Sequence, residues 1–330
     1  MLFFNTLLIG TLISISSYSW MGMWMGLEIN LLSIIPLMNN MKNLFSSEAS
    51  LKYFITQAMA STIILFSIIM MSMNLKTSMI NNPLLLIFNS ALLTKMGAAP
   101  FHFWFPEVME GLNWNNCLIM LTWQKIAPMI ILMYNLNMMM FFFIVIVFSM
   151  LISGIMGLNQ TSLRKIMAYS SINHIGWMIS SMMFMKTIWL NYFIIYSIIS
   201  LNIIIIFKLL NIFFLKQLFI SLKNNLMMKL FFIMNFLSLG GLPPFLGFMP
   251  KWLTIQLMVE KSMLLMTFMM IMLTLLTLFY YMRITFSTLI LNTNEINFFT
   301  NKPNQNLFIF FMNFISMIGL LGCTMMFNFL

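Results

Sequence analysis

Charge is what this chain has least of. Only 7% of its 330 residues are Asp, Glu, Lys or Arg, and it has no Asp at all. Soluble domains carry about 25% charged residues. A surface that meets water cannot be built from so few, which excludes a soluble globular enzyme, a disordered chain and a nucleic-acid-binding protein. Cysteine is nearly absent too, with Cys117 and Cys323 alone. An iron–sulfur cluster takes about four Cys ligands and a structural zinc about four Cys or His. Two Cys and two scattered His supply neither, so no cofactor is expected in this chain. The sequence contains neither G-x-G-x-x-G nor a P-loop. No basic residue precedes Lys42, so the start reads as neither a signal nor a transit peptide. Small apolar residues are also few: 8 Ala and 4 Val stand against 41 Met and 35 Phe. A bilayer does not impose that choice, whereas AT-rich codon usage, as in an organellar genome, accounts for it.

What is present is hydrophobic: 62% of the residues are apolar, with a mean hydropathy of +0.98. Runs near the ~20 residues that span a bilayer recur between Asn, Lys and Ser clusters. They predict an all-α polytopic membrane protein of about eleven helices. The spans are 3–20, 21–38, 50–72, 83–112, 114–136, 138–157, 163–184, 188–215, 229–260, 262–290 and 306–328. The whole of 1–330 reads as one integral membrane domain, with halves near 1–136 and 138–290 and a final helix. Basic residues set the orientation. The N-terminal side collects nine Lys and Arg (Lys42, Lys52, Arg164, Lys165, Lys216, Lys223, Lys229, Arg283, Lys302), and the other side three (Lys76, Lys186, Lys261). The N-terminus is therefore expected on the cytoplasmic or matrix side.

Two expected spans carry helix-breaking segments at an offset of 144 residues. Leu93, Gly97, Pro100, Phe101 and Pro106 recur as Leu237, Gly241, Pro244, Phe245 and Pro250, with Thr94 opposite Ser238 and Trp104 opposite Phe248. Five spans apart, the two would run in opposite directions, an inverted-topology repeat with two broken helices. Each proline removes an N–H and leaves the carbonyl four residues earlier without its helical donor. Pro100 opens Met96, Pro243 opens Leu239 and Pro244 opens Gly240. Together with Gly97, Gly240 and Gly241, these mark the breaks. Open carbonyls at bilayer depth require protein or water partners.

Five ionisable groups lie near the centres or the breaks of the spans: Glu28, Lys95, Lys125, His174 and Lys251. A Lys at the bilayer centre costs about 2.5–3.5 kcal/mol on insertion scales. Such groups, poised between burial and a counter-charge, form a candidate proton relay, with Lys95 as the expected partner of Glu28. Static ion pairs or snorkelling tails are the alternative. Snorkelling is preferred for Lys208, a structural hydrogen bond for His102, and solvation for Glu107 and Glu110. Gly22 and Gly26 have GxxxG spacing suited to close packing.

Several segments carry a family resemblance. They are Gly26-Leu27-Glu28-Ile29-Asn30, Lys95 to Trp104, Leu121-Thr122-Trp123-Gln124-Lys125, Leu158 to Ile172, Leu239 to Pro244, and Pro250-Lys251-Trp252. Over essentially its whole length the chain resembles the subunit 2 family of mitochondrial NADH:ubiquinone oxidoreductase, respiratory complex I, and its composition resembles arthropod members. The resemblance implies an antiporter-like proton-pumping membrane subunit. It implies a carboxylate at Glu28, relay lysines at Lys95, Lys125 and Lys251, and a linking residue at His174. Bacterial relatives have fourteen helices; eleven resembles the animal form that lacks the first three. Flavin and iron–sulfur clusters would belong to other subunits. The implied partners are a second antiporter-like subunit, a small three-helix subunit and phospholipids such as cardiolipin. The implied location is the mitochondrial inner membrane, with the N-terminus in the matrix and the C-terminus in the intermembrane space. The same lysines would serve a cation/proton antiporter, and the local motifs do not separate the two.

Overall fold

The architecture is taken from a computed structural model that describes residues 2–40, 43–73, 78–223 and 226–290, together with 313, 314 and 319. Most of the expected last helix, 306–328, lies outside the described residues, as do Lys42, Lys76, Lys302 and Cys323. The described residues are helical throughout, apart from turns and one isolated bridge between Ser162 and Phe214. The chain forms two compact units, Met1–Ser149 and Met150–Leu330.

The first unit contains α1 (Leu2–Ser16), α2 (Trp20–Met38), α3 (Leu44–Met73), α4 (Ser78–Met96), α5 (Trp104–Gly111), α6 (Trp114–Leu121) and α7 (Trp123–Leu132). Next comes α8 (Met139–Leu158), which crosses the unit boundary. The second unit holds α9 (Leu163–Phe184), α10 (Lys186–Leu210), α11 (Leu215–Lys223), α12 (Leu226–Gly240), α13 (Phe248–Glu260) and α14 (Leu264–Ile290). Among the described residues, six stretches are long and apolar enough to cross a membrane: α2, α3, Trp114–Asn135, α8, α10 and α14.

On some helices small and polar residues turn inward beside apolar ones. On α3 the buried face is Ser46, Ala49, Ser50, Tyr53, Gln57, Ala60, Ser61, Ile64 and Ser67, at helical spacing. Its exposed face is Leu51, Phe54, Ile55, Met59, Ile63 and Phe66. Lipid tails are as apolar as Leu, so large apolar chains gain nothing by turning inward. Small and polar residues allow close approach and hydrogen bonds instead. Helix α9 is the limiting case. It is buried on every face from Ile166 to Met182, and it carries Ser170, Ser171, Asn173, His174, Ser180 and Ser181. Its serines return their hydroxyls to backbone carbonyls three residues earlier, at 2.7–2.8 Å.

Three differences from the sequence expectation have local causes. The expected fifth span, 114–136, is divided into α6 and α7 at Thr122, three residues before Lys125, where φ is -115° and ψ is -73°. Residues 215–223, read as a connection, form the amphipathic helix α11, which buries Leu218 and Leu222 and exposes Lys216 and Gln217. The close helix contact uses Gly26 with Gly10 rather than Gly22 with Gly26. A Cβ on Gly26 would meet the Ser14 and Gly10 backbone of α1, whereas one on Gly22 would meet Ser17 and Ser19 of the connecting turn. Replacing Gly26 with Val should therefore separate α1 from α2 at a cost of about 2 kcal/mol or more. A thermal-unfolding comparison with Gly22→Val checks this, and Gly26→Val should show the larger drop.

Candidate functional site

The two proline segments share one backbone construction, although the Ala99–Pro100 peptide bond is cis and its counterpart at Pro243–Pro244 is not. Helix α4 ends at Met96 and α12 at Gly240; α5 restarts at Trp104 and α13 at Phe248. Each boundary is displaced by the 144 residues seen in the sequence. Gly97 and Gly241 take the left-handed conformation, with φ of 74° and 78°. The N–H of Ala98 reaches Leu93 O at 3.1 Å and that of Gly97 reaches Thr94 O at 3.1 Å. The N–H of Leu242 reaches Leu237 O at 3.4 Å and that of Gly241 reaches Ser238 O at 3.0 Å. Both are Schellman C-caps, which satisfy the last carbonyls of a helix by a left-handed residue. Phe101 to Ala98 and Phe245 to Leu242 then repeat a further turn, at 2.9 and 3.0 Å.

The segments differ in what meets the remaining carbonyls. At the second, Lys251 folds back from the first turn of α13. Its Nζ donates to Gly240 O at 2.8 Å and to Leu239 O at 3.3 Å. These are the two carbonyls that Pro244 and Pro243 leave open. A cation at a helix C-terminus is further favoured by the helix dipole. A Cβ on Gly241 would lie 2.8 Å from Lys251 Cδ and 2.9 Å from Nζ. The glycine thus serves both the turn and the passage of the lysine. At the first segment side chains on other residues reach the two carbonyls that precede the one opened by Pro100. Trp104 Nε1 donates to Thr94 O at 3.0 Å, and Gln57 Nε2 to Lys95 O at 3.5 Å.

The Lys95 side chain instead borders a small cavity of about 10 Å³ lined by Asn30, Tyr53, Gln57, Gln124 and Pro128, among others. Its polar walls are linked: Tyr53 Oη donates to Gln124 Oε1 at 3.4 Å, and Gln124 Nε2 to Asn30 Oδ1 at 3.0 Å. The expected contact of Glu28 with Lys95 is not made; among the described residues no ion pair joins them. The reason is helical phase. Asn30 is buried and lines the cavity with Lys95, whereas Glu28, two positions earlier on α2, is half-exposed and is not part of that lining. Only its longer-range field reaches Lys95. Lys125 is buried, with Nζ 5.6 Å from the centre of the Phe105 ring, a cation–π arrangement. Glu107 pairs at 2.9 Å with Lys52, which also meets Glu48 at 2.9 Å, on an exposed end of α3. Lys208 is exposed near the end of α10, and His102 is buried against Phe103.

In the second unit His174 sits on α9, with Nδ1 2.9 Å from the Tyr192 hydroxyl. Tyr196 is stacked obliquely on it at 4.9 Å. Lys251 Nζ lies 6.0 Å from the Trp177 ring of the same helix. Asn173 Nδ2 donates to Thr277 Oγ1 at 3.3 Å, tying α9 to α14. The groups that sequence reasoning passed over are Tyr53 and Gln57 in the first unit, and Tyr192, Tyr196, Tyr280 and Tyr281 in the second. The helical spacing of Ser50, Tyr53, Gln57 and Ser61 inside an apolar run was the available signal for the first pair.

Comparison with known proteins identifies the family. A family profile described as NADH:quinone oxidoreductase/Mrp antiporter, TM, matches residues 17–277. The chain belongs to that family. It is 55% identical to NADH-ubiquinone oxidoreductase chain 2 of Aedes aegypti, over 99% of this chain and 97% of that one. It is 51% identical to the protein of the same name from Anopheles gambiae, again over 99% and 97%. Among solved structures, respiratory complex I from Thermus thermophilus with bound aureothin contains a chain of the same fold. It has a TM-score of 0.86 and 21% identity, over 96% of this chain and 77% of that one.

The two turns make a paired prediction. Gly97→Ala and Gly241→Ala should each cost about 1–2 kcal/mol from the left-handed conformation. Only Gly241→Ala should also displace Lys251 Nζ from Gly240 O. A density map of each variant at side-chain resolution reads this out, and an unmoved Lys251 would contradict the assigned role of the glycine.

Proposed function

We propose that the chain is the antiporter-like membrane subunit of a mitochondrial NADH:ubiquinone oxidoreductase. It couples electron transfer elsewhere in the complex to proton movement from matrix to intermembrane space. Support for the assembly comes from the name shared by relatives at 51–55% identity over nearly the full chain. Support for the mechanism comes from one observation above all: a buried Lys251 ammonium seated on two carbonyls opened by consecutive prolines.

On this reading Glu28, Lys95, Lys125, His174 and Lys251 carry the relay. Glu28 acts on Lys95 through its field rather than by contact. Lys95 adjoins a cavity with room for about one water and four other polar walls, a setting in which an amine exchanges a proton. Lys251 lies at a loosened turn, where opened carbonyls compete with water for the ammonium, and Lys125 lies three residues beyond the division at Thr122. Moving one charge against the membrane potential costs about 2.3 kcal/mol per 100 mV. Interactions between buried charges about 4 Å apart reach that size at an effective dielectric near 20.

The reading extends to eleven spans with two broken helices in inverted repeat, supported by the matching caps at Gly97 and Gly241. The nine-to-three distribution of Lys and Arg supports an N-terminus in the matrix and a C-terminus in the intermembrane space. Redox cofactors would reside in other subunits. A second antiporter-like subunit and a small three-helix subunit would flank the chain, with phospholipids such as cardiolipin against its apolar faces.

Lys251→Met or Lys125→Met tests the mechanism in the intact complex reconstituted into vesicles. Loss of a proton-transfer group slows its step by about 100-fold or more. The expected result is assembled complex with fewer protons moved per NADH oxidised. An unchanged ratio in both variants would leave the lysines as static structure. A cation/proton antiporter is separated by the same preparation, since it would move protons against sodium without NADH.

A further inference from the structure

Resting on the proposed relay, we infer that Tyr192 is a positioning residue for proton exchange at His174: its hydroxyl converts the protonation state of the imidazole into a change of hydrogen bonding toward the second helix break. Three observations carry this. Tyr192 and His174 are both buried, and the phenol oxygen is 2.9 Å from Nδ1. The two residues line one cavity of about 10 Å³ together with Tyr196, Ser238, Leu239 and Pro250. Leu239, a wall of that cavity, is also a residue whose carbonyl holds Lys251.

The chemistry follows from the donor and acceptor inventory. A phenol both donates and accepts, a neutral imidazole accepts at one nitrogen, and an imidazolium donates at both. With Nδ1 unprotonated, the Tyr192 O–H donates to it. When Nδ1 gains a proton, Nδ1–H donates to the phenol oxygen, and the hydroxyl hydrogen turns away by rotation about the C–O bond. The contact persists in both states, no heavy atom moves, and one hydrogen is re-aimed. A phenylalanine could pack there but could not do this. Of the other titratable groups on elements packed against α9, Tyr196 on α10 lies on the His174 ring at 4.9 Å, Lys251 on α13 approaches Trp177 of α9 at 6.0 Å, and Tyr280 and Tyr281 lie on α14.

The test is Tyr192→Phe in the intact complex, with proton movement per NADH followed from pH 6 to pH 9. Loss of a hydrogen bond to a charged group moves the profile by about one pH unit. The expected result is such a shift with a lower proton ratio, in a complex that assembles and oxidises NADH. An unshifted profile with an unchanged ratio would overturn the role of Tyr192. Lys251→Met is run alongside. If it lowers the ratio while Tyr192→Phe does not, the inference fails and the relay stands. If neither variant changes anything, the relay itself fails. Should Tyr192→Phe not assemble, Tyr192→His restores a group that donates and accepts. Recovery of pumping in that variant supports the role, and assembly without pumping refutes it.

Discussion

A backbone carbonyl that loses its helical donor inside a bilayer must find another, because no bulk water is there to supply one. Much of the second unit is arranged around that demand. Pro243 and Pro244 open Leu239 and Gly240, and the donor supplied is the ammonium of Lys251. Gly241 has no side chain because the lysine passes where its Cβ would be. Helix α13 begins at Phe248, close enough for Lys251 to reach back. The same interaction explains how a lysine is retained in so apolar a protein: it repairs a defect that the prolines create.

The first unit is arranged differently, and the contrast is informative. Its turn is built alike, but Trp104 and Gln57 reach the two carbonyls that precede the one opened by Pro100. Lys95 is released from that duty and borders the cavity with Asn30, Tyr53 and Gln124. One backbone motif thus presents a lysine bound to carbonyls in one case and beside a polar cavity in the other. The first arrangement gives the lysine two backbone acceptors, and the second leaves it beside polar side chains.

Much of this was legible in the sequence. The 144-residue repeat located both turns to the residue, because proline and glycine act on their own backbone and need no distant partner to be read. The carbonyls opened by Pro243 and Pro244 were likewise derivable. What was not legible depends on phase and on tertiary neighbours. Glu28 lies two residues from Asn30, and hydropathy cannot say which of the two turns inward. The division at Thr122 leaves no proline or glycine at the site. Tyr192 reaches His174 from another helix, eighteen residues away, and only packing reveals it.

Helix α9 has a consequence for how the protein is made. With Ser170, Ser171, Asn173, His174, Ser180 and Ser181 along its length, and burial on every side, it has little that lipid would hold by itself. Its stability in the membrane comes from α10, α13 and α14, which are synthesised after it. The helix that carries His174 must therefore wait for its neighbours. Completion of the second unit and entry of that histidine into the membrane interior become one event in biogenesis.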